Sequence, residues 1–210
     1  MADKQDRAPY TGADHVAVQP GLPTMSAWGS TVAALVRAAQ QGDTAAFERL
    51  YQMFAPLVHG LLVARLPLDE VDDIMQDVFF TAFRQLGTIR EPAAFGGWLG
   101  AIARQKAADF FRRSHQTESL DAASAEMTAR RGELDTELDA RTILGHIRQL
   151  PETYAETLTL RLVEGLTGPE IAAVTGLTPD SVRVNLHRGL RLLRERLGLG
   201  DSYNGKTDGV

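Results

Sequence analysis

The groups best suited to chemistry in this chain are arginines and aspartates gathered in two places. From Ser181 to Leu197, Arg183, Arg188, Arg191, Arg194 and Arg196 are opposed by a single acid, Glu195. Guanidinium groups at that density neutralise phosphates, and their planar forks can read base edges. Asp69, Glu70, Asp72, Asp73 and Asp77 precede the first compensating base, Arg84. Such acids could grip a basic partner, or Asp72, Asp73 and Asp77 could hold magnesium as in some prenyl-transfer enzymes. The metal reading needs a second acidic cluster across a cavity, and the only other acid-rich stretch reads as a linker. The five histidines are scattered and there is no cysteine, which removes disulfides, thiolate zinc sites and thiol redox chemistry. Neither a metal, a cofactor nor a catalytic activity is expected.

The arginines are positioned by a recognisable local grammar. Thr167 with Glu170 three residues later makes a capping box, opening a short helix whose apolar residues are Ile171 and Val174. Gly176 supplies a turn. Thr178 can cap the next helix, and Pro179 suits its first position because that amide would be unpaired anyway. Short helix, glycine turn and longer helix predict a helix-turn-helix. In the longer helix Val182, Leu186, Leu190, Leu193 and Leu197 share one side, expected to pack toward Ile171, Val174 and Leu177. Asp180, Arg183, Val184, His187, Arg188 and Arg191 share the other. A basic helix face alone is most often merely solvated, but here caps, turn and charge coincide, and together they point to DNA.

The acids lie at the start of an apolar stripe, Val71, Ile74, Met75, Val78, Phe79, Ala82, Phe83 and Leu86. A helix dipole favours acids at its N-terminus, which accounts for Asp69 to Asp73 without any function. It does not account for Phe80, an aromatic in the middle of the polar face formed by Asp69, Asp73, Gln76 and Asp77. An aromatic anchor ringed by carboxylates suits docking to a basic partner. A third stripe starts at Phe95, Trp98, Leu99 and Ile102 and ends in ARQKAADFFRR, where Arg104, Lys106, Arg112 and Arg113 outnumber Asp109. Cations beside Phe110 and Phe111 would suit single-stranded DNA. The competing explanation is intrahelical pairing among Lys106, Asp109 and Arg113, with Trp98 in the core.

These elements fit an all-α protein of two small helical domains. The chain has 210 residues, a net charge of −5 and 44% hydrophobic residues, enough for one or two small domains. No long apolar run or secretory leader is present, so a soluble cytoplasmic protein without membrane insertion is expected. Residues 1–28 read as a disordered arm, 29–113 as the first domain, 114–139 as an acidic linker, 140–197 as the second domain and 198–210 as a flexible tail. Phe47, Leu50, Tyr51, Phe54, Leu57, Val58, Leu61 and Leu62 form the first stripe, in which Pro56 should introduce a kink.

Four strings in this order, GDTAAFERLYQMFAPLV, DDIMQDVFFTAFRQL, FGGWLGAIARQKAADFFRR and LPETYAETLTLRLVEGLTGPEIAAVTGLTPDSVRVNLHRGLRLLRERL, resemble bacterial RNA polymerase sigma factors of the extracytoplasmic-function (ECF) group. The resemblance implies a sigma-2 helical bundle followed by a sigma-4 helix-turn-helix, the linker replacing the sigma-3 domain of larger relatives. It implies that Asp73, Gln76, Asp77 and Phe80 dock on the β′ coiled coil of core polymerase, and that sigma-4 meets the β flap. It implies that the loop from about Gly87 to Phe95, with Arg104, Lys106, Arg112 and Arg113, faces the minus 10 element. Arg161, Pro179, Arg183, Val184, His187, Arg188 and Arg191 would approach the minus 35 element, and an anti-sigma factor would cover these faces. Asn185 and Leu190 stand where relatives are often basic, so the promoter sequence cannot be copied across. Gly96, Gly97 and Gly100 weaken a helix start by up to about 1 kcal/mol each. A helix-turn-helix regulator that never joins polymerase would share the second domain, and only the first separates the two readings.

Overall fold

The computed structural model describes residues 25–118 and 136–199, all in helices and the turns between them. The first domain comprises α1 (Met25–Gln40), α2 (Thr44–Val63), α3 (Val71–Gln85) and α4 (Phe95–Glu118). The second comprises α5 (Thr136–Arg148), α6 (Glu152–Leu162), α7 (Gly168–Thr175) and α8 (Pro179–Arg196). The segments 1–24, 119–135 and 200–210, including most of the expected arm, linker and tail, lie outside the described residues.

Asp43 opens α2 by accepting a hydrogen bond from the Ala46 amide at 3.1 Å. The three- and four-residue spacing then turns Leu50, Phe54, Leu57, Val58, Leu61 and Leu62 into the core, each no more than 1% exposed. The α2 backbone stays helical through Pro56 to Val63. α3 buries Val71, Ile74, Met75, Val78, Phe79 and Ala82 as its stripe predicts, whereas Phe83 remains exposed and packs its ring edge-on against Phe47, 5.0 Å between centroids. In α4, Phe95, Leu99, Ile102, Ala103 and Ala107 are buried, with Phe95 edge-on to Phe54 at 4.9 Å.

Two expected boundaries move. α1 starts at Met25, ahead of residue 28, because Trp28 packs against the core and stacks obliquely on Phe54 at 6.4 Å. α4 starts cleanly at Phe95 despite its glycines and runs past residue 113 to Glu118. The reason for Gly96 is tertiary: a Cβ there would lie 2.1 Å from the Val174 carbonyl oxygen of α7. Only glycine lets the two backbones approach so closely.

The apolar side of α8 also divides. Val182 packs with Ile171, Ala172 and Val174, as expected, but Leu193 joins Ile147, Leu150, Ala155 and Leu158 of the α5–α6 region, with Leu190 and Leu197 against them. The eight residues of α7 reach about 12 Å, and the eighteen of α8 about 27 Å, so α7 cannot cover the whole stripe.

The two domains do not stand apart. Leu144, Leu160, Leu166, Ile171, Val174 and Val182 belong to the same buried cluster as Leu50, Phe54 and Leu99. Along this seam α6 and α7 of the second domain pack against α2 and α4 of the first.

Candidate nucleic-acid and docking interfaces

The expected caps form in the helix-turn-helix. The Thr167 amide donates to Glu170 Oε2 at 2.6 Å and the Glu170 amide to Thr167 Oγ1 at 3.4 Å. Gly176 ends α7 with φ of 76°, the left-handed region that glycine tolerates. The Ser181 amide donates to Thr178 Oγ1 at 3.2 Å, and Pro179 is the first residue of α8. These contacts present Arg183, Val184, His187, Arg188 and Arg191 on the solvent side of α8, all exposed. Arg183 has a side chain 80% exposed and lies 3.2 Å from Asp180, and Arg191 lies 3.2 Å from Glu195. Pairs this exposed are weak and leave both guanidinium groups available to phosphate. Arg161, on the last turn of α6, is also exposed and donates to the Leu166 carbonyl at 3.1 Å, tethering the loop that enters α7.

α3 presents Asp73, Gln76, Asp77 and Phe80 together on its outer face, all exposed, with Phe80 61% accessible. The Arg84 guanidinium lies 5.6 Å from the Phe80 ring centroid and holds it by a cation–π contact. Sequence reasoning missed this partner, although the four-residue spacing of Phe80 and Arg84 signals it. Among the described residues no three acids or histidines converge on a possible metal site.

The basic end of α4 is dispersed rather than gathered. Lys106 Nζ lies 3.8 Å from Asp77 Oδ2 and so reaches back to α3 instead of pairing with Asp109. Asp109 is 2.5 Å from Arg112, and Arg113 Nε donates to the Asp109 carbonyl at 3.4 Å. Arg104 turns away from this group altogether. Its Nε and Nη2 donate to the two carboxylate oxygens of Glu156 in α6, at 2.8 and 2.9 Å. Phe111 is exposed, while Phe110 is half-buried and Trp98 rests half-buried against Phe95. The loop before α4 contains single turns at Leu86–Thr88 and Pro92–Ala94. Gln40 Nε2 pins it to α1 by donating to the Leu86 and Ile89 carbonyls at 2.9 and 3.1 Å, a link no sequence signal announces.

Residues 50–117 match the family described as Sigma-70 region 2, and residues 141–193 match Sigma-70, region 4. The chain is 31% identical over 163 residues to the RNA polymerase sigma factor CarQ of Myxococcus xanthus, covering 76% of this chain and 93% of that one. It belongs to the ECF group of sigma-70 factors. This alternative sigma factor is also 31% identical to the ECF sigma factor BldN of Streptomyces coelicolor over 78% of its own length, and it spans 64% of BldN. The ECF sigma-E factor of Haemophilus influenzae is 29% identical, with 78% and 94% covered. The fold of the sigma factor is similar to that of CnrH, solved in complex with the cytosolic domain of CnrY: the TM-score is 0.54 at 24% identity, covering 81% of this chain and 99% of that chain. The region 2 match separates a sigma factor from a helix-turn-helix regulator that lacks the first module. Among the described residues no helix is long and apolar enough to cross a membrane.

Proposed function

We propose that this sigma factor joins core RNA polymerase through the outer face of α3 and brings it to promoters by addressing two DNA elements with separate modules. Asp73, Gln76, Asp77 and Phe80 dock on the β′ coiled coil, and the second domain engages the β flap. Pro179, Arg183, Val184, His187, Arg188 and Arg191 of α8, with Arg161 of α6, approach the minus 35 element. Arg104, Lys106, Arg112 and Arg113 of α4 approach the minus 10 element and its melted strand. The protein works in the cytoplasm as a specificity subunit without catalysis of its own, held in check by an anti-sigma factor.

The observation that carries this reading is the pair of oppositely charged faces left uncovered by the fold. α3 offers carboxylates around an exposed Phe80, and α8 offers exposed arginines beside Val184. The first suits a basic protein helix and the second a phosphate-lined groove. Purified protein is expected to co-elute with core polymerase and to direct run-off transcription from a promoter that core alone cannot use. Absence of both co-elution and transcript overturns the reading.

A further inference from the structure

We propose that Val184 reads the methyl group of a thymine in the major groove, so that the upstream promoter element of this sigma factor carries a thymine at one fixed position beside the contact made by Arg188. The inference rests on the reading above, in which α8 addresses the minus 35 element, and deepens it by naming a base.

Val184 departs in type from the face that carries it. Asp180, Arg183, His187, Arg188 and Arg191 surround it, all exposed. At 39% exposure it is the one large apolar side chain left open among the described residues of α8. The helix gains nothing from it, since a branched Cβ loses side-chain freedom there and makes valine a poorer helix former than alanine. A lone exposed apolar residue is ordinary on most surfaces. The placement of this one is not. Val184 stands in the second turn of α8, and the first turns of the second helix of a helix-turn-helix are those that meet base edges.

The orientation of that turn is fixed from behind. Val182 is 1% exposed and lies in the core with Ile171 and Val174. A Cβ at Gly189 would come within 3.1 Å of the Leu158 side chain and 3.3 Å of Tyr154 Cβ, both of α6. Glycine lets α8 press onto α6, and the helix cannot roll without opening this contact. In front, Arg183 is drawn toward Asp180 and Arg191 toward Glu195, each at 3.2 Å. Val184 and Arg188 follow one another on the same row of the helix, one turn apart. Four residues advance about 6 Å along the axis, close to the rise of about two base pairs.

The major groove presents hydrogen-bonding atoms at every base pair and one apolar group, the C5 methyl of thymine. A valine neither donates nor accepts. Laid against a purine or a cytosine, it would strip water from N7, O6 or an amino group and return no hydrogen bond. Laid against thymine, it buries one methyl surface on another. The γ-methyls of valine are held stiffly in a helix, so the contact favours the base whose methyl lies in that place. The arginines around it neutralise phosphates, which gives affinity without sequence. Val184 supplies the discrimination.

The test uses full-length protein assembled with core polymerase and a pool of randomised duplexes. Selection is expected to enrich thymine at one position of the upstream element at least about fivefold over each other base. The same selection with Val184→Ser is expected to lose the thymine at that position alone. Deoxyuridine in place of that thymine deletes only the methyl, and is expected to weaken wild-type binding about fourfold, the value of one methyl removed from water. 5-Methylcytosine in place of cytosine at the same position is expected to strengthen it by about as much. Val184→Ser, at an exposed site, is expected to bind the two members of each pair equally. If an element is enriched without a fixed thymine, if wild-type protein binds the thymine and deoxyuridine duplexes alike, or if Val184→Ser keeps the preference, the thymine contact is refuted. A uniform loss by Val184→Ser across all sequences marks a sugar contact and refutes it too. A selection that enriches no upstream element refutes the proposed function itself, and the thymine contact with it.

Discussion

Arg104 and Glu156 are separated by 52 residues, yet the guanidinium of one grips the carboxylate of the other through two parallel hydrogen bonds of 2.8 and 2.9 Å. Burial acts to raise the Glu156 pKa, but hydrogen bonds and charge from Arg104 and Arg65 prevail and hold it below the ordinary 4.5. The Arg104 pKa is raised, chiefly by its hydrogen bond to Glu156. The pair joins α4 of the first domain to α6 of the second.

Removing Glu156 should therefore cost more than removing Arg104. Glu156→Ala strands two cations at the seam and is expected to lower stability by about 2 kcal/mol. Arg104→Ala leaves Glu156 paired with Arg65, and because its side chain is 40% exposed the loss is expected to be about 1 kcal/mol. Urea unfolding monitored by circular dichroism measures both, and the reverse ranking would contradict the geometry.

Neighbouring glycines of α4 should respond with opposite signs. A Cβ at Gly97 meets nothing within 4 Å, so Gly97→Ala should gain up to about 1 kcal/mol from helix propensity. At Gly96 the added carbon meets the Val174 carbonyl, and Gly96→Ala should lose about 1–3 kcal/mol by overpacking. Thermal melts of the two variants decide the matter.

The outer face of α3 should be separable from the DNA-reading helix. Asp73→Arg is expected to reduce association with core polymerase at least tenfold without changing the fold, since Asp73 is exposed. Binding of the isolated minus 35 duplex should stay unchanged in the same variant. Co-elution with core at wild-type level would remove α3 from the docking surface.

Exposure of Arg188 predicts a phosphate or base contact of measurable size. Arg188→Ala should weaken promoter binding by about 1–3 kcal/mol if it reads a base, or reduce the salt slope by about 1 if it meets a phosphate. A titration across ionic strength distinguishes these outcomes, and no change in either would exclude this arginine.

The His59–Glu164 contact makes the seam sensitive to alkali. The hydrogen bond to Glu164 raises the His59 pKa above 6.5, burial opposes it, and the charges of Glu164 and Asp72 assist. A group whose folded pKa is raised contributes fully below its unfolded value, and that contribution is lost as pH rises through the folded value. Wild-type protein should thus lose more stability than His59→Gln between pH 6 and pH 9. Glu156 works in the opposite direction. Its contribution is complete above about 4.5 and fades as pH falls through the depressed folded value.

The helices were legible in the sequence because their signals are local. Apolar spacing of three and four residues, the Thr167–Glu170 box and the Thr178–Pro179 start depend on neighbours along one chain. The same wheels placed Phe80 and the α8 arginines outside, since a helix cannot bury two opposite faces against one core. Where the local signal was ambiguous, contacts across the fold decided. Gly96 reads as a weak helix start until α7 is laid over it, and the α8 stripe divides because α7 is too short to cover it. Lys106 turns to Asp77, and Arg104 leaves its basic neighbours for Glu156, over 29 and 52 residues. No pattern along the chain encodes such pairings. They exist because packing α6 and α7 against α2 and α4 removes water from particular charges, and a charge without water takes the partner that the fold supplies.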